Sequence, residues 1–170
     1  MSNVRVAMVM GSDSDFEVME EGVKALKEFG LNCDVQVMSA HRSPAAVSEF
    51  ASNAQQRGIQ VIIAGAGGAA HLAGVVAAHT SLPVIGVPLS ATPLAGFDAL
   101  LATVQMPPGI PVATVAVGKF GARNAAILAV QIMALSDADL RKKLADFKVA
   151  LADQVAKKNE ALQKKMKAVT

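Results

Sequence analysis

Between Ser39 and Ser43 the chain sets a titratable imidazole, His41, beside a fixed cation, Arg42, with a hydroxyl at either end of the five-residue stretch. An imidazole gives or takes a proton near neutral pH, and a guanidinium matches the oxygens of a phosphate in pairs. A second stretch, "GSDSD" at 11–15, puts Ser12, Ser14 and Asp15 where a helix begins. Unpaired backbone N–H groups and the helix dipole favour an anion there. The serine hydroxyls suit phosphate, and Asp15 suits the hydroxyls of a sugar; the plainer alternative is that Ser12 and Asp13 only cap the helix. A third stretch, "GAGGAAHL" at 65–72, carries small residues that let a backbone approach a planar ligand, followed by His71. His71 reads equally as a second site residue or as a helix N-terminal hydrogen bonder, and His79 as packing or interface.

Other chemistries find little support. Gly65, Gly67 and Ala70 fit a dinucleotide fingerprint, but after the third strand rather than the first, and with no acid about 20 residues on to hold a ribose. No H-x-x-x-H, C-x-x-C or acidic cluster suggests a metal, and no G-x-S-x-G elbow suggests a serine nucleophile. Cys33, the single cysteine, excludes an internal disulfide, suits a reducing cytosol, and falls within an alternating strand pattern rather than at a nucleophile's position.

These loops need elements to hold them, and the sequence supplies strands alternating with helices. Apolar strand patterns occupy 4–10, 33–38, 60–65, 82–88 and 110–117. Helical spacing of Phe16, Met19, Val23 and Leu26 ends at Gly30. Ser43 as N-cap and Pro44 at the first helical position open a helix running to Gly58. Further helices follow the third strand, span 97–105 and 122–135, and close the chain from Asp137 to about Lys167. Strands that are apolar without a polar face argue a parallel sheet covered on both sides. The fold expected is α/β: a three-layer doubly wound parallel sheet of the flavodoxin or Rossmann type, with a long C-terminal helix. The whole of 1–170 reads as a single domain, its core at about 4–135 and a helical tail at about 137–168. The three polar stretches all follow strands, so they converge beyond the carboxyl edge of the sheet, where such folds bind ligands.

The 170 residues suffice for one sizeable core, and 52% hydrophobic content with 18% charge excludes disorder. The N-terminus leads directly into a strand pattern, with no signal peptide expected. The longest apolar runs are interrupted before reaching a membrane span's length of about 20 residues. Net charge is +2, but residues 137–170 hold nine basic against five acidic residues. Their alternating signs read as a solvated helix face rather than a nucleic-acid surface.

Taken together, "VMGSDSD", "SAHRSP", "VIIAGAGGAAHL", "GVP" and "VQMPPGIPVATVAVG" resemble the 5-(carboxyamino)imidazole ribonucleotide mutase family of purine biosynthesis, the class I PurE enzymes. The likeness runs from about Val4 to Leu135. It implies a cofactor-free, metal-free isomerase that moves a carboxylate from the exocyclic nitrogen of an aminoimidazole ribonucleotide to a ring carbon. Decarboxylation and recarboxylation would proceed inside one pocket. Also implied are a three-layer α/β fold, a cytoplasmic homo-octamer, and a small-molecule ribonucleotide as the partner, with neither nucleic acid nor membrane involved. By motif, His41 and His71 correspond to the catalytic histidines. Ser12 and Asp15 would bind the ribonucleotide, with Asp15 on the ribose hydroxyls; Ser14, Ser39 and Arg42 would hold phosphate. Gly67, Gly68, Ala69 and Ala70 would shape the pocket around base and carboxylate, with Ala40 and Leu72 also touching substrate.

This chain departs from the family at Ser43, where Thr is usual, and at Ala73-Gly74-Val75, where Pro-Gly-Met is common. Arg123 also stands where a small residue is usual. Two rivals remain: a class II carboxylase using free carbon dioxide, and a nucleotide-binding module that does no chemistry. Arg42 after the histidine and the glycine-alanine third loop resemble class I rather than class II.

Overall fold

The structure, a computed structural model, describes residues 4–167; residues 1–3 and position 168 of the expected tail lie outside the described residues. The chain divides into two compact units between Ile132 and Met133. The first holds a five-stranded parallel sheet in the order β2-β1-β3-β4-β5. Its strands are β1 (Val6–Met10), β2 (Cys33–Val37), β3 (Val61–Gly67), β4 (Val84–Leu89) and β5 (Ala113–Thr114).

β1 and β4 are buried at every position, as is β3 through Gly65. Continuous burial is why these strands read as unbroken apolar runs rather than alternating ones. Each strand nevertheless serves two faces. Ala7, Val9, Ile62 and Ala64 pack with Val47, Phe50 and Ala51 of α2 (Pro44–Asn53) and with Leu72, Ala73 and Val76 of α3 (Leu72–Ala78). On the opposite face Met8 meets α1 (Phe16–Glu28), where Gly22 lies under the Met8 methyl and against the Ala122 carbonyl of α5 (Lys119–Ala134). A Cβ on Gly22 would stand 2.8 Å from both, so only glycine lets α1, the sheet and α5 meet this closely. Gly86 of β4 gives room in the same way to Thr103 of α4 (Phe97–Val104).

The helix stops follow backbone chemistry. α1 ends with Gly30 at φ 76°, while Leu31 N–H donates to the Leu26 carbonyl and Gly30 N–H to that of Lys27. That is the left-handed glycine cap the sequence predicts. α2 stops at Asn53, short of the expected Gly58, because the chain tightens into turns. Gly58, at φ 85°, then closes them with Ile59 N–H on the Ala54 carbonyl. β5 is the larger correction: only Ala113 and Thr114 pair with β4, against an expected 110–117. Pro111 lacks a donor, and beyond Thr114 the chain stays hydrogen-bonded to β4 through Val115 N–H to Gly86 O and Gly118 N–H to Pro88 O.

The second unit contains α6 (Ala138–Lys167), a 30-residue helix. Asp137 Oδ1 accepts the Leu140 N–H, and Arg141 returns its guanidinium to the Ala134 and Leu135 carbonyls. Lys142 pairs with Asp146 four residues on, as a solvated, sign-alternating face does. Among the described residues no helix is long and apolar enough to cross a membrane.

Candidate active site

Register places the site. Met10 lies level with Val37 on one side and Gly65 on the other, and Gly67 lies level with Leu89. Four strands therefore end at nearly the same height, and their loops open on one edge of the sheet. A pocket of about 370 Å³ lies there, lined by Ser12, Ser14 and Asp15 after β1 and by Ser39, Ala40, His41 and Arg42 after β2. Gly67, Ala69 and Leu72 line it from β3 and α3. The three polar stretches singled out in the sequence thus meet in one cavity.

The β1 loop folds through its own side chains. Ser12 and Asp15 cap the first turn reciprocally: the Ser12 hydroxyl accepts the Ser14 N–H, and Asp15 Oδ2 accepts the Ser12 N–H at 3.1 Å. Ser14 Oγ donates to Ser12 Oγ at 2.9 Å. Capping and pocket lining are here one arrangement, not alternatives. Burial raises the Asp15 carboxyl above its ordinary value, against the Ser12 N–H that lowers it, and the neighbouring Asp13 adds to the rise.

The β2 loop is tied at its base. Ser43 is the N-cap residue of α2 as expected, but its Oγ accepts the Ser39 N–H at 2.9 Å and donates to the Ser39 carbonyl, so the hydroxyl makes no cap bond. Ser39 Oγ in turn accepts the N–H groups of His41 and Arg42. With both lone pairs engaged, its own hydrogen is left to donate into the pocket. Arg42 reaches across to the Gly11 carbonyl at 3.0 Å, clamping the β1 and β2 loops together.

His41 Nε2 lies 2.9 Å from His71 Nδ1, with the rings edge to face at 84°. One nitrogen must donate and the other accept, so the contact fixes complementary tautomers and excludes a pair protonated at both of these atoms. His71 is the residue before α3 and its side chain makes no capping bond there. It does not line the pocket itself; neither do Gly68 and Ala70, and the Ala70 side chain is buried. His79 is exposed, with Nδ1 3.3 Å from Ser48 Oγ, and belongs elsewhere. Burial pushes the Cys33 thiol up to about 12, well away from nucleophile chemistry.

Gly11, Ala66 and Ala91 also line the pocket and were not foreseen. Ala91 follows β4, and the rule that ligands bind beyond strand carboxyl ends, applied to that strand too, would have found it. Among the described residues no group of three or more His, Cys, Asp or Glu could hold a metal ion.

Sheet order and pocket together define a doubly wound α/β protein whose site, bearing a histidine pair, sits at the carboxyl edge of its strands. The chain belongs to the AIR carboxylase family, which it matches over residues 5–154. It is 55% identical over 160 residues to a Mycobacterium leprae protein named N5-carboxyaminoimidazole ribonucleotide mutase, covering 94% of this chain and 92% of that one. A protein of the same name from Escherichia coli is 50% identical, covering 89% of each chain. The crystal structure of Treponema denticola PurE superposes with a TM-score of 0.84 at 26% identity, covering 92% of this chain and 97% of that one.

Proposed function

We propose that this protein is an isomerase of purine biosynthesis that converts 5-(carboxyamino)imidazole ribonucleotide into 4-carboxy-5-aminoimidazole ribonucleotide. The observation that carries the reading is the His41–His71 contact at a pocket that Ser12, Ser14, Ser39 and Arg42 also line. Such a pocket offers donors and a cation to a phosphate, Asp15 to ribose hydroxyls, and an imidazole for proton transfer.

The chemistry needs one proton carrier. As the carbamate N–C bond breaks, carbon dioxide leaves and the exocyclic nitrogen takes a proton from His41. The ring carbon then attacks carbon dioxide, and the proton it sheds returns to His41. Protons and carbon balance over the cycle, and no change of oxidation state calls for an oxidant. His71, bonded to His41, orients the imidazole that carries the proton. Between the two steps carbon dioxide must be kept against the ring, which enclosure by Ala66, Gly67, Ala69, Leu72 and Ala91 supplies.

The same reading takes the whole chain as one mutase domain, working in the cytoplasm as a homo-octamer. The test is turnover of the carbamate by the purified protein without ATP, metal or added bicarbonate. Failure to turn it over, with retained binding of the ribonucleotide, would leave a binding module instead.

A further inference from the structure

Residues 90–96 carry β4 into α4 and lie across the glycine-rich end of β3. A Cβ on Gly67 would stand 2.5 Å from the Ala91 methyl, and one on Gly68 would stand 3.5 Å from the Thr92 methyl. Gly67 therefore serves a close approach by this loop, while Gly68 takes a left-handed backbone at φ 60° beside it. The loop's path is costly: Ala95 sits at φ 52°, in the left-handed region, directly before Gly96 at φ 84°. What holds it is the Thr92 hydroxyl. Thr92 Oγ1 donates to Asp98 Oδ2 at 2.7 Å and accepts the Leu94 N–H at 3.2 Å, while the Thr92 carbonyl accepts the Ala95 N–H at 3.1 Å. One side chain thus ties the loop both to itself and to the first turn of α4.

We propose that Thr92 and Asp98 form a clasp that positions Ala91 over Gly67 as the apolar wall of the pocket, making the pair positioning residues for the reaction. Neither touches the pocket; they act through Ala91. The inference rests on the mutase reading. The phosphate-facing groups Ser12, Ser14 and Arg42 belong to other loops, so loosening the clasp leaves substrate anchoring in place. It opens the wall against which the departing carbon dioxide is held. The clasp thus governs kcat and the fidelity of recapture, not KM.

Thr92→Val keeps the shape and removes the hydroxyl; Asp98→Ala removes the acceptor. In carbamate turnover each should lower kcat by about tenfold with KM within about threefold, as misplacement of an enclosing group does. The share of substrate released as decarboxylated aminoimidazole ribonucleotide should rise in both. Thr92→Ser and Asp98→Asn, which retain a donor and an acceptor, should restore both quantities, and they carry the test if the harsher variants do not fold. Wild-type kcat and no leak in Thr92→Val, or equal damage from Thr92→Ser, would overturn the clasp. So would a fall in kcat that only tracks the folded fraction. Hydrogen exchange across 90–97 separates this from failure of the mutase reading. Even with no turnover by the parent protein, the clasp requires faster exchange in Thr92→Val than in Thr92→Ser, and equal rates would reject it.

Discussion

His41 and His71 share a hydrogen bond that needs a donor on one ring and an acceptor on the other. Replacing His41 by Asn keeps a polar group of similar reach and removes proton transfer. Turnover should vanish while ribonucleotide affinity stays within about tenfold, or about 1.4 kcal/mol; substantial residual turnover would remove His41 from the acid-base role. Arg42 spends one N–H on the Gly11 carbonyl and is among the residues lining the pocket. Arg42→Ala should weaken binding by roughly 1.5–3 kcal/mol, and by much less for a ligand lacking its phosphate. Equal losses for the two ligands in calorimetry would reject a phosphate contact. Asp15 makes a third case, because burial raises its pKa. A carboxyl raised in the folded state contributes stability below its unfolded pKa and loses it as pH rises through the folded one. Asp15→Asn should therefore gain stability relative to the parent as pH rises from about 3 to neutral, while losing affinity for the ribonucleotide. Thermal melts across that range showing no gain would count against the burial account.

At the scale of elements, periodicity and punctuation made most of the fold legible. Buried strands read as apolar runs, and Gly30 marked a helix end by the left-handed backbone it adopts, whereas α2 stops at Asn53, ahead of Gly58. β5 was over-read because Ile110–Val117 carries a strand's residue types, whereas pairing depends on backbone geometry that Pro111 interrupts. The site was legible wherever chemistry shows in residue type: Ser12, Ser14, Asp15, Ser39, His41 and Arg42 stand out as polar groups after strands. Ala91 did not, because a methyl contributes only by where tertiary structure puts it. Arg123 was equally opaque in sequence. It forks onto Glu28 with both N–H···O distances at 2.8 Å, joining α5 to α1. Exposed as both partners are, that pair contributes only about 0.5 kcal/mol. Gly22 carries more, since its missing Cβ leaves room for the Ala122 carbonyl and the Met8 methyl. Gly22→Ala should cost about 1–3 kcal/mol in denaturant unfolding, despite alanine's better helix propensity, and a stabilised variant would contradict the close approach.

Across the whole molecule, large apolar side chains stand in water: Leu94 is 64% exposed, Phe97 65% and Phe120 83%. Leu101 and Val104 continue the Phe97 stripe along α4 at helical spacing. In the proposed homo-octamer other copies of the chain would cover such a surface; light scattering at micromolar concentration should then return an octamer, and a stable monomer would contradict that assembly. On the proposed mechanism the protein recycles the carbon dioxide it has just released. Turnover of the carbamate in radiolabelled bicarbonate tests it most directly. A mutase should form product without ATP or metal and take up label far more slowly than it turns over. Label entering product at the turnover rate would mean that the carbon dioxide comes from solution, and the protein would then be a carboxylase.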